Sequence, residues 1–115
     1  MKKIDLSITI GFCQTDELSE ADQQLVERAK EATRNSYSPY SKFAVGAAVR
    51  LADGTTIIGA NQENAAFPSG LCAERTAIFA AQAQHPDQPI TAIAIAARNQ
   101  NGLMPDPIVP CGSCR

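Results

Sequence analysis

At 115 residues the chain fits one domain with a moderate core, and 44% hydrophobic with 19% charged residues excludes an intrinsically disordered composition. The formal net charge of −2 supplies no basic footprint for a nucleic-acid backbone, so a polynucleotide partner is not expected. No apolar stretch reaches membrane-spanning length, and Met1-Lys2-Lys3 leads into alternating residues rather than the continuous apolar run of a signal peptide. A cytoplasmic location follows as the expectation, and there four cysteines are metal-bound or reduced more often than disulfide-paired.

Residues 4–12 alternate apolar and polar, the pattern of a short edge strand or an ordered arm. Ser19 with Asp22 three residues later marks a helix start. Ala21, Leu25, Ala29 and Ala32 then recur at helical spacing to about residue 35, with Glu27, Arg28, Lys30 and Glu31 on the polar side. Tyr37-Ser38-Pro39-Tyr40-Ser41 breaks that helix. Residues 43–51 read as a buried strand, Ala52-Asp53-Gly54 as a hairpin turn and 55–60 as the returning strand. A loop over 61–70 precedes an alanine-rich helix over 72–84, closed by Pro86 and Pro89. Residues 90–97 read as another buried strand, and 99–110 as a turn-rich connection to Cys111. A hairpin followed by helix, strand and a second helix start predicts an α/β sandwich, its crossover helix on one face of the sheet.

Cys72-Ala73-Glu74 and Pro110-Cys111-Gly112-Ser113-Cys114 carry the chemistry. Three thiolates satisfy three corners of a zinc tetrahedron and leave the fourth open, as a catalytic site requires. A glutamate two residues from the first sulfur is placed to work on water at that corner. Both motifs are expected at helix N-termini, where unpaired N–H groups and positive partial charge favour thiolates. Alone, Cys111-Gly112-Ser113-Cys114 also fits a redox dithiol at a helix start. A structural zinc site is a further alternative, if Cys13 supplies a fourth ligand.

Four blocks in order resemble the small cytidine deaminases that act on free nucleosides. They are Tyr37-Ser38-Pro39-Tyr40-Ser41-Lys42-Phe43-Ala44-Val45-Gly46-Ala47-Ala48, Asn61-Gln62-Glu63-Asn64-Ala65-Ala66, Cys72-Ala73-Glu74-Arg75-Thr76-Ala77 and Pro110-Cys111-Gly112-Ser113-Cys114-Arg115. The resemblance implies a single domain over 1–115 with an N-terminal arm over 1–17. The implied fold is a three-layer α/β/α cytidine deaminase-like sandwich with a mixed central sheet. It also implies one zinc ion per subunit, held by Cys72, Cys111 and Cys114, with Glu74 as the proton carrier. Asn61 and Glu63 match the ribose-binding pair, Phe43 an aromatic that lines the base, and the Ala73 N–H a donor to the pyrimidine carbonyl. Zinc at +2 with three thiolates sums to −1, and Arg75 is placed by resemblance to hydrogen-bond the sulfurs and offset that charge. The implied activity is hydrolytic deamination of cytidine and deoxycytidine in pyrimidine salvage, by a cytoplasmic homotetramer with no nucleic-acid or membrane partner. Alternatives are a non-catalytic zinc module, or a deaminase of a nucleotide or nucleic-acid base. In the family the last cysteine opens a helix and further strands follow. The sequence stops at Arg115, so those C-terminal strands are expected to be missing from this chain.

Overall fold

The computed structural model describes residues 1–66, 69–106, 108 and 114. Helix α1, Glu20–Ala32, starts where Ser19 Oγ accepts the N–H of Asp22 at 3.3 Å, and Glu20 and Asp22 place negative charge in its first turn. Leu25, Ala29 and Ala32 form its buried stripe, which ends in a 3₁₀ turn over Thr33–Asn35. Ala21 was expected on that stripe but is exposed, since the buried apolar contact between the helix and the sheet begins at Leu25.

Strands β1 (Ala44–Leu51) and β2 (Thr56–Ala60) form a hairpin. Its turn is closed by Asp53, whose carboxylate accepts the Thr55 N–H at 2.9 Å, and by Gly54 at φ +91°. Helix α2, Ala73–Gln84, then crosses to β3 (Ile90–Asn99), and a short β4 (Gly102–Leu103) pairs with the end of β3. The sheet order is β2-β1-β3-β4. β1 is antiparallel to both neighbours, so β2 and β3 run the same way with β1 between them, and α2 is the crossover joining them. For this reason every ladder among the described strands is antiparallel: the crossover skips over β1 instead of seating two parallel strands side by side.

Alternation along β1 separates the two faces of the sheet. Val45, Ala47, Val49 and Leu51 pack on Ala73, Ala77 and Ala81 of α2. Ala48 packs on Leu25 and Ala29 of α1, with Ile58, Ala92, Ala94 and Ala96 beside it. The result is the expected α/β/α layering, with an alanine-rich core that brings both helices close to the strands. Gly59 shows this on the α2 side. A Cβ there would stand 2.4 Å from the Ala77 nitrogen, so only glycine lets the start of α2 lie against β2.

Three further expectations change. Of the two readings of residues 4–12 only the edge strand is overturned: they pair with no strand among the described residues, and Ile4, Leu6, Ile8, Ile10 and Phe12 are all exposed. β3 is not a buried strand: Ile90 and Ile93 are about two fifths exposed, because α2 leans on β1 and β2 far more than on β3. β4 lies inside the segment expected to be a plain connection. Among the described residues no helix is long and apolar enough to cross a membrane.

Candidate active site

Two side chains that leave the end of β2 organise one wall of the site. Asn61 Oδ1 accepts the Val45 N–H at 2.9 Å and the Ser36 hydroxyl, while its Nδ2 donates to the Phe43 carbonyl at 2.9 Å. One Nδ2 hydrogen lies outside these bonds. The Asn61 amide therefore ties the beginning of β1 to the preceding turn. Glu63 holds that turn from the other side. Its Oε1 accepts the N–H groups of Tyr40 and Ser41 at 3.0 and 3.1 Å, and its Oε2 accepts the Ser41 hydroxyl at 2.5 Å. The Ser41 hydroxyl, then the backbone donors, hold the Glu63 carboxyl below its usual pKa despite partial desolvation. Lys42 takes φ 58°, the left-handed turn that lets the chain double back into Phe43.

The opposite wall is the first turn of α2. Cys72 is its N-cap in extended conformation, and its carbonyl accepts both the N–H and the hydroxyl of Thr76 at 3.0 Å. Its sulfur accepts a hydrogen bond from Arg75 Nη2 at 3.7 Å. That bond to Cys72, followed by the interaction with Cys114, raises the Arg75 pKa above the ordinary arginine value. Arg75 Nε is buried with no hydrogen-bond partner among the described residues. Glu74 is only 6% exposed. Burial of Ala73 and Ala77 against the sheet holds this turn in place, with Gly59 beneath it.

Phe43, Asn61, Glu63, Cys72, Ala73 and Glu74 line one cleft of about 1010 Å³, and Arg75 reaches it from α2. Cys114 meets the same guanidinium as Cys72, so two of the three expected sulfurs converge there. Cys111 lies outside the described residues, and among those described no group of three metal-ligating side chains is assembled. The donor chemistry fits a thiolate-rich zinc site. Two sulfurs share the Arg75 guanidinium at a helix N-terminus, and its buried Nε leaves donor capacity to spare. Cys13 is exposed on the arm. Sequence reasoning missed Tyr40 and Ser41 as the partners of Glu63. They lie more than twenty positions away in the chain, and no periodicity signals such a contact.

An α/β/α domain with cysteine and glutamate at the first turn of its crossover helix defines a class of zinc-site nucleobase deaminases. Residues 19–115 match the model of the cytidine and deoxycytidylate deaminase zinc-binding region, and the chain belongs to that family. It is similar to a cytidine deaminase of Halalkalibacterium halodurans, at 43% identity over 93 residues, covering 81% of this chain and 66% of that protein. It is also similar to a cytidine deaminase of Sporosarcina psychrophila, at 41% identity with 81% and 64% covered. The chain thus spans just under two thirds of the length of these curated relatives. Among solved structures, cytidine deaminase from Burkholderia pseudomallei superposes with a TM-score of 0.71 at 40% identity, covering 84% of this chain and 72% of that one.

Proposed function

We propose that this chain deaminates free cytidine and deoxycytidine hydrolytically, giving uridine or deoxyuridine and ammonia. The observation that carries the reading is the single cleft in which Glu74 and Cys72 face Phe43, Asn61 and Glu63. Cys72, Cys111 and Cys114 would hold one zinc ion, which when bound supplies the Lewis acidity that makes water a nucleophile near neutral pH. Glu74 does the proton work. It accepts a proton from the attacking water, passes one to ring N3, and later delivers one to the departing amine. The C4–O bond forms and the C4–N bond breaks, so cytidine and water balance uridine and ammonia.

The other residues bind and orient. The first N–H groups of α2 have no intrahelical acceptor, and that of Ala73 is offered to the pyrimidine carbonyl. Phe43 lines the base, while Asn61 and Glu63 take the sugar hydroxyls far from the reacting carbon and thereby fix its position. A carboxylate at the sugar end disfavours a phosphorylated sugar, and the net charge of −2 disfavours a polynucleotide. The family resemblance completes the reading as a cytoplasmic homotetramer serving pyrimidine salvage.

The test is the loss of cytidine's ultraviolet absorbance on incubation with the zinc-supplied chain, beside Glu74→Gln. The variant is expected to keep bound zinc and the parent's melting temperature while turnover falls by at least about a thousandfold. Equal turnover in the two would remove Glu74 from the chemistry. Zinc binding without turnover in either would make this a non-catalytic zinc module.

A further inference from the structure

Resting on the nucleoside-binding reading above, we infer that Ser41 is a positioning residue for sugar recognition, acting through Glu63. Its hydroxyl has one proton, and that proton is committed to Glu63 Oε2 at 2.5 Å. The same oxygen accepts the Phe43 N–H at 3.2 Å. A relay therefore runs from the backbone of the base-lining residue, through one hydroxyl, to the carboxylate at the sugar end. All three residues line the one cleft.

Two features make this more than a turn contact. Glu63 Oε1 is engaged by the backbone donors of Tyr40 and Ser41, and the Ser41 hydroxyl is the side-chain donor on Oε2, so the three bonds together fix the plane of the carboxylate. A carboxylate that faced a sugar hydroxyl without that restraint would lose rotational freedom on binding. Charge-assisted hydrogen bonds of this kind are also about twice as strong as neutral ones. The chain passes through the left-handed region at Lys42, directly after Ser41.

Calorimetric titration of the zinc-supplied chain with uridine and with 2′,3′-dideoxyuridine tests this without turnover. The parent is expected to bind uridine more tightly. Ser41→Ala should weaken uridine about tenfold and leave dideoxyuridine unchanged, and Ser41→Thr, which keeps the hydroxyl, should restore most of the difference. In a carbon-detected NMR titration the Glu63 pKa should rise in Ser41→Ala and stay low in Ser41→Thr. Ser41→Ala weakening both ligands equally, or keeping the parent's preference, would overturn the assignment. A parent that binds neither nucleoside, or binds both alike, would instead overturn the sugar-site reading and take Ser41 with it.

Discussion

Arg75 holds a buried Nε that meets no acceptor among the described residues, and an unsatisfied buried donor costs about 1–3 kcal/mol. Such a cost persists where the rest of the side chain gains more, and here Arg75 Nη2 meets the Cys72 sulfur while Cys114 shares the same cation. Three thiolates around a divalent ion would carry excess negative charge, and a guanidinium against two of the sulfurs would offset it. Partners of metal ligands commonly change metal affinity by about 10–100-fold. Arg75→Gln is accordingly expected to lower zinc affinity by at least about tenfold in chelator competition, with uridine affinity changed by less than about threefold when zinc is saturating. Equal zinc affinity in variant and parent would refute the charge argument, whatever the effect on turnover.

At the scale of elements, the site depends on how closely the first turn of α2 approaches β2. Gly59 sets that distance, since a methyl group there would overlap the Ala77 backbone at 2.4 and 2.8 Å. Backbone cannot yield as a flexible side chain can, so Gly59→Ala must push the helix away. Overpacking of this kind costs about 1–3 kcal/mol, visible as a lower urea midpoint with an unchanged slope. Because Cys72, Ala73 and Glu74 ride on that turn, uridine affinity should fall as well. An alanine variant with the parent's midpoint and affinity would show that the close approach is incidental. Much of this arrangement was legible in the sequence. Ser19 with Asp22 announced α1, Asp53-Gly54 the hairpin, and the alanine-rich run after Cys72 the helix α2. Exposure of β3 was not, because an apolar run reports that a strand can be buried and not which helix covers it. The Ser41–Glu63 clamp was equally hidden, since hydrogen bonds between two loops leave no periodic trace.

For the molecule as a whole, the two faces of the sheet are held differently. α1 is tied down by its buried stripe and by an ion pair between Asp22 and Arg50 at 2.9 Å, which is half-exposed and worth at most about 1 kcal/mol. α2 packs chiefly through alanines, which bury little area each, and its first turn is linked to Cys114 through Arg75. A zinc ion joining Cys72 to the distant Cys111 and Cys114 would close the segment containing α2 and β3 into a loop. A metal that binds the folded chain and not the unfolded one stabilises it by about 2.7 kcal/mol at a hundred times its dissociation constant. Zinc removal by a strong chelator is therefore expected to lower the melting temperature by about 5–15 °C, and added zinc to restore it. Cys72→Ala should melt near the chelated value and respond to neither treatment. Since α1 makes no use of the metal, its amides should keep their hydrogen-exchange protection after chelation while those of α2 lose theirs. Uniform loss across both helices would show one cooperative unit, and an unchanged melting temperature on chelation would show that the sulfurs hold no structural ion.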